Sequence, residues 1–166
     1  MANSDFLLAI AEIAIALITF AAIVLVLRQL VGGELSAFHL LILRLFALCG
    51  FETIFLALLP LLLNYLGVQI EILWRVASAL AFVVIIATTI WYWRCRRKVA
   101  PGRPQNWSTI SVTILHSVAV VGLFFHALGL IYVGSIGPYA IALVSGLAPV
   151  ATAFFASLDD FLSAGL

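Results

Sequence analysis

Charged side chains are scarce in this sequence. Of its 166 residues, only 9% are Asp, Glu, Lys or Arg, whereas 66% are hydrophobic. A soluble domain carries about 25% charged and about 45–50% apolar residues, so the composition predicts that lipid surrounds most of the chain. The formal net charge of +1 gives no general attraction to nucleic acid, and we expect no such partner. The length predicts a single transmembrane domain, residues 1–166, without a separate soluble module.

Catalytic and cofactor-binding motifs are also missing. Cys49 and Cys95 belong to no CxxC or Cys/His pattern, so the sequence predicts neither a zinc site nor a disulfide framework. No glycine-rich phosphate loop, nucleophile elbow or HExxH motif is present. The single lysine, Lys98, lies outside the apolar segments, which leaves no residue for a retinal Schiff base. We therefore expect no catalytic residue, no metal and no cofactor, and a protein that is not an enzyme.

What the sequence does contain is five long apolar segments. They predict an all-α, polytopic transmembrane helix bundle with spans at about 4–29, 36–63, 69–93, 107–132 and 138–158. Glycine pairs, prolines and short polar stretches separate the segments. Gly146 and Pro149 interrupt the fifth segment, so four spans with a re-entrant C-terminal segment is the alternative.

Basic residues indicate how the chain crosses the membrane. The strongest cluster follows the aromatic run at 91–93 and consists of Arg94, Arg96, Arg97 and Lys98. Cytoplasmic loops carry an excess of Lys and Arg, so the loop containing this cluster is predicted to be cytoplasmic, with the N-terminus outside and the C-terminus inside. The cluster is also predicted to contact anionic lipid headgroups. Arg75, one turn after Glu71, is typical of an exposed pair at a helix start.

Each span carries one stripe of polar or small residues. On the first span, one face holds Asp5, Ala9, Glu12, Ala16 and Thr19, because residues seven apart differ by only about 20° around a helix. Polar residues in membrane helices face neighbouring helices or water rather than lipid. The stripes therefore predict a polar interior, either within one bundle or along a path shared by the subunits of an oligomer.

Five ionisable residues within the spans are the candidates for that interior: Glu12, Arg44, Glu52, Arg75 and His116. An arginine at the centre of a membrane helix costs roughly 2.5 to 3.5 kcal/mol and cannot lose its proton. Arg44 is therefore expected either to pair with Glu52 or Glu12, or to bind an anion or a lipid headgroup. For Glu12 the alternatives are a structural pair and the binding of a proton or cation. For His116 they are packing and proton relay.

The first span also resembles a known kind of sequence. Residues 11–16, AEIAIA, followed by Phe20 and an Ile-Val pair, are similar to the start of small uncharacterised bacterial multi-pass membrane proteins. Those proteins carry an arginine in the second helix, where this chain has Arg44. The resemblance covers the first third of the chain. It implies a location in the bacterial inner membrane and carries no activity with it.

Two functions fit these patterns. The first is a channel or transporter-like protein, assembled as a homo-oligomer, that moves a small ion or a proton through a polar interior. The second is an accessory or scaffold subunit of a larger membrane complex, in which the intramembrane charges form structural ion pairs. The first predicts copies of the same chain as partners, the second predicts other membrane subunits, and both predict contact with the lipid bilayer.

Overall fold

The chain is mainly helical in the part that the computed structural model describes, which is residues 3–30, 37–99, 107–131 and 134–163. Within these ranges it forms five helices and no strand: α1 (Ser4–Leu30), α2 (Ala37–Tyr65), α3 (Ile70–Val99), α4 (Trp107–Ala127) and α5 (Gly137–Ser163). The all-α prediction is confirmed. α5 runs without a break through Gly146 and Pro149.

Three of the helices contain segments that are long and apolar enough to cross a membrane. These segments are Ser4–Ile23, Leu40–Tyr65 and Ile70–Val99. The apolar parts described for α4 and α5 are shorter and comprise Thr113–Ala127 and Gly137–Pro149. The helices therefore suit a membrane protein, and the count of five crossings stays a prediction.

The five helices form a ring, and a contact between α2 and α5 crosses its middle. Neighbours in the ring are α1 and α2, α2 and α3, α3 and α4, α4 and α5, and α5 and α1. α2 and α5 also contact each other extensively, whereas α3 touches α5 only slightly. α2 and α5 are therefore the two central helices, and each has one side left for the outer surface of the bundle.

The best-buried core lies toward one end of the bundle, which we call the N-terminal end. Here α1, α3 and α5 begin, and α2 and α4 finish. The side chains of Leu7, Leu73, Leu123 and Tyr139 are at most 2% exposed. The ring of Tyr139 packs on that of Trp74, with 5.7 Å between ring centroids. These side chains come from α1, α3, α4 and α5, and Leu56 and Leu59 of α2 belong to the same buried cluster, so all five helices contribute to it.

Two helices finish at the N-terminal end with the same backbone motif. Gly67 and Gly129 have φ values of 76° and 71°. This is the left-handed backbone conformation, which residues with a side chain adopt only under strain. After α4, the amide of Gly129 donates to the carbonyl of His126 at 2.9 Å and that of Leu130 to Phe125 at 3.0 Å. This is the Schellman arrangement, which satisfies the last carbonyls of a helix. It ends α4 at Ala127, earlier than the span limit of 132 expected from hydropathy.

The opposite end of the bundle carries the basic cluster, and we call it the basic end. The cluster is predicted to lie in a loop, but α3 continues to Val99 and contains all four cations. Arginine and lysine have good helix propensity, and positive charge in the last turn is stabilised by the helix dipole. The cations are therefore held on defined faces of α3.

Candidate functional site

A carboxyl group joins α2 to α3. Thr88 Oγ1 on α3 donates a hydrogen bond to Glu52 Oε1 on α2. Thr88 is 9% exposed and Glu52 is half-buried. Hydrogen bonds of this kind connect helices in lipid, where an unpaired polar group has no water to bind. The membrane-length segments contain four acidic residues, Asp5, Glu12, Glu52 and Glu71. Of these, Glu52 alone makes a described hydrogen bond to another helix.

A second polar contact joins α3 to α4. Ser78 Oγ and His126 Nδ1 lie 2.8 Å apart, and both side chains are fully buried. Which atom donates depends on the histidine tautomer. His126 is not among the site residues predicted from the sequence, because its partner lies on another helix and is remote in sequence. A histidine near the end of an apolar segment is the only local signal, and it is a weak one.

A third polar contact joins the two central helices. Pro60 lies inside α2 and has no N–H, so the carbonyl of Leu56, four residues earlier, loses its usual helical donor. The hydroxyl of Tyr139 on α5 donates to this carbonyl at 2.5 Å. The α5 side chain therefore satisfies a backbone group that the proline leaves open, as required away from water.

Arg75 contacts the end of α4. A Cβ placed on Gly129 would overlap the guanidinium of Arg75, so this group lies directly against the backbone that follows α4. The C-terminal end of a helix carries partial negative charge, which favours a cation there. Arg75 is otherwise exposed. Its position suits a stabilising contact at the N-terminal end of the bundle.

The structure does not bring the five candidate residues together. Glu12, Arg44 and Arg75 are exposed on the surface of the bundle, and Glu52 and His116 are half-buried on different helices. No ion pair joins Glu12, Arg44, Glu52 or Arg75 to one another in the described part of the chain. Among the residues whose burial the structure describes, the buried polar side chains are instead Thr53, Ser78, Thr88, Arg96, His126 and Ser145.

The polar stripe of α1 points outward. Asp5, Glu12 and Thr19 are spaced by seven residues, and Ala9, Ala16 and Ile23 repeat the same spacing between them. All six side chains are exposed in the single chain. Together they follow the a and d positions of a heptad repeat, the pattern by which parallel helices pack on one another. We call this surface the α1 seam. The stripe of α1 therefore lines no interior of this bundle.

The pairing of Glu52 with Thr88 also determines the level of Arg44. Arg44 lies eight residues before Glu52 on α2, and Arg96 lies eight residues after Thr88 on α3. Because the two helices are antiparallel, Arg44 and Arg96 lie at the same level, about 12 Å from the Glu52–Thr88 bond. Arg44 therefore belongs to the basic end of the bundle and is not central.

Replacing Thr88 tests whether its bond to Glu52 stabilises the bundle. Thr88→Val is expected to lower the free energy of unfolding by about 1–3 kcal/mol, because the half-buried carboxyl of Glu52 loses its donor. Denaturant titration of the purified protein in detergent measures the change. Thr89→Val is the matched control, since the Thr89 hydroxyl donates only within its own helix, to Ile85 at 2.7 Å. Equal effects of the two substitutions would contradict the expectation.

The fold and these contacts define the class of protein: an all-helical protein with helices suited to a membrane. Models of known protein families give no match, and neither do curated proteins or solved structures. In the described residues, no group of three or more His, Cys, Asp or Glu side chains is placed to hold a metal ion.

Proposed function

We propose that this protein is a homo-oligomeric channel or transporter-like protein of the bacterial inner membrane that moves protons or a small cation. In this proposal all five helices cross the bilayer, with the N-terminus outside and the basic end of the bundle in the cytoplasm. Copies of the chain assemble around an axis along the membrane normal. The α1 seam of each copy faces that axis.

The outward position of Glu12 is the observation that carries the proposal. A carboxyl group facing hydrocarbon is costly, and such groups usually face protein or water. Glu12 makes no described contact within its own chain, so a partner outside the chain is the natural way to cover it. Rotational symmetry about the membrane normal places Glu12 of every copy at one depth. A carboxyl group that holds a proton is both donor and acceptor, so such groups complement each other.

The other residues of the α1 seam fit the same assembly. Ala9 and Ala16 are small, and small residues allow membrane helices to approach closely. Asp5, Glu12 and Thr19 would form three successive rings, about 10.5 Å apart along the axis. Rings of acidic side chains are the usual lining of cation-selective pores. The seam thus supports conduction of protons or small cations.

Ion flux into liposomes tests the proposal. Purified protein is reconstituted with an internal pH-sensitive dye, and a proton or potassium gradient is imposed. Wild-type protein is expected to conduct above the level of empty liposomes. Glu12→Gln is expected to reduce the flux at least tenfold, because it keeps the size of the side chain and removes the ionisable group from the ring.

Glu71→Gln is the matched control for this experiment. Glu71 is also an exposed carboxylate, but it lies in the first turn of α3 and away from the α1 seam. Its replacement is expected to leave the flux within about twofold of wild type, since it lines no part of the proposed path. Wild-type flux no greater than that of empty liposomes would overturn the proposal.

The same seam is the observation that supports the second candidate, an accessory subunit of a larger membrane complex. In that case a helix of another protein covers Glu12. Extraction in a mild detergent followed by mass measurement separates the two candidates. Several copies of this chain alone favour the conducting homo-oligomer, whereas a different membrane protein at a constant ratio, together with absent flux, favours the accessory subunit.

A further inference from the structure

α2 and α3 pack side by side, and a surface groove lies between their outer sides. Cations lie along this groove at the basic end of the bundle. On α2 the outer side is a continuous exposed strip that contains Arg44, Leu48, Phe51 and Phe55. On α3 the outer side contains exposed Leu80 and Val83, among others. We call the space between these two sides the α2–α3 groove. It lies opposite the contact of α2 with α5.

Three cations lie along the groove at the basic end of the bundle. Around the axis of α2, Arg44 lies about 80° from Glu52, which faces α3, and this rotation is toward the outer side of α2. Around the axis of α3, Lys98 and Arg94 lie about 80° and 120° from Thr88, which faces α2, and these rotations are toward the outer side of α3. Since the helices are antiparallel, these rotations bring the cations to the same side of the helix pair. All three side chains are exposed.

Arg96, which lies near the same level, performs a different role. Arg96 is only 6% exposed. Its Nη1 donates to the hydroxyl of Tyr92 at 3.3 Å, and its guanidinium lies 5.6 Å from the centre of the Trp93 ring. Arg96 therefore orders the aromatic residues at the end of α3 and is not available at the groove.

We infer that the α2–α3 groove binds an anionic phospholipid, with its phosphate held by Arg44, Arg94 and Lys98. Guanidinium groups bind phosphate oxygens in a planar, two-bond geometry, and lysine adds a point charge. Trp91 lies on the same side of α3, about 4.5 Å below Arg94, at the depth where aromatic rings meet lipid headgroups.

The apolar part of the groove fits the rest of the lipid. Below Arg44, the exposed side chains of Leu48, Phe51 and Phe55 continue for about 16.5 Å along α2. This is an apolar track of the length that an acyl chain occupies in one leaflet. A free phosphate ion would use only the cations and would leave the track uncovered. The combination of a cationic rim and an apolar track therefore specifies a membrane lipid.

This inference also accounts for an arginine on an otherwise apolar face. At the level of Arg96, the side chain of Arg44 reaches the headgroup region without crossing hydrocarbon. The lipid phosphate supplies the counter-charge that no acidic residue described in this chain supplies. The site is independent of the α1 seam, which lies on another helix.

Lipid association in reconstituted vesicles tests the site. The full-length protein is placed in phosphatidylcholine vesicles containing spin-labelled phosphatidylglycerol, and the motionally restricted fraction of the label is measured. Arg44→Gln and Lys98→Gln are each expected to lower the relative association of phosphatidylglycerol about fivefold, the effect of one cation near a lipid surface. Label on phosphatidylcholine is expected to respond to neither substitution.

Arg97→Gln is the matched control. Arg97 is exposed and near the same level, but it points about 180° away from α2. Its replacement is expected to change the association less than twofold. Equal losses for Arg97→Gln and Arg44→Gln would overturn the inference in favour of general attraction between the basic end and anionic lipid.

Two further measurements keep the outcome decisive. Circular dichroism in phosphatidylcholine alone is expected to be the same for all variants, and the comparison is made between variants that pass this check. Excess inorganic phosphate is expected to leave the restricted fraction unchanged. Displacement of the lipid by phosphate at constant ionic strength would identify a soluble-anion site and overturn the assignment to a phospholipid.

Discussion

Tyr139→Phe is expected to lower the free energy of unfolding by about 1–3 kcal/mol, the cost of leaving a buried polar group without its partner. The substitution removes only the hydroxyl that donates to the carbonyl of Leu56. The aromatic ring is kept, and with it the contact with Trp74. Because Pro60 has no N–H to donate to that carbonyl, no backbone group of α2 replaces the lost hydrogen bond. Denaturant titration in detergent, followed by tryptophan fluorescence, measures the loss.

Pro60→Ala provides the test of this explanation. An alanine restores an N–H at position 60, which can donate to the carbonyl of Leu56 within α2. In the Pro60→Ala background, Tyr139→Phe is therefore expected to cost less than half as much as in the wild type. The difference between the two costs is the coupling energy of the pair. Equal costs in both backgrounds would show that the hydroxyl stabilises the bundle in some other way.

Gly146→Leu is expected to cost about 1–3 kcal/mol, as is typical of overpacking a closely packed contact. A Cβ on Gly146 would lie 2.9 Å from the Oγ1 of Thr53, where α5 meets α2. Thr53 is 3% exposed, and its hydroxyl is held by the carbonyl of Cys49 at 2.8 Å. It cannot move aside without losing that bond. The two central helices must therefore separate to accept a side chain at position 146, and this weakens the contact between α2 and α5.

Gly122→Leu is the matched control for this prediction. Gly122 also lies in the interior of a helix, but a Cβ there meets no other atom within 4 Å. Leucine favours a helix over glycine by up to about 1 kcal/mol, so this substitution is expected to be neutral or slightly stabilising. The same titration measures both variants. A comparable loss for both glycines would contradict the role assigned to the α2–α5 contact.

The helices of this protein depend largely on local sequence, and for that reason an all-helical fold could be predicted from the apolar segments. The limits of α1 and α2 agree closely with the predicted spans at 4–29 and 36–63. Apolar runs and glycine breaks can be read without knowledge of neighbouring helices. The differences are at helix ends. α4 ends early, before a glycine with positive φ, α3 extends through the basic cluster, and α5 continues past the predicted limit of 158 to Ser163.

The partners of the polar residues could not be predicted in the same way. Ser78 and His126 lie 48 residues apart in sequence, and Tyr139 and Leu56 lie 83 apart. Helical periodicity shows which residues share a face. It does not show which face meets which helix, because most faces of a membrane helix are apolar. Periodicity therefore predicts that the polar residues of α1 form one stripe, but it does not predict that this stripe faces away from the bundle.

The long apolar helices, the polar stripe of α1 and the basic residues of α3 could all be predicted from the sequence. These depend on composition and on spacing along one helix. The packed bundle was needed to show that Glu12 faces away from it, that Glu52 bonds to α3 and that Arg44 lies level with Arg96. Each of these depends on how one helix is rotated and shifted against another. That arrangement is chosen by packing of the whole bundle and not by any single segment.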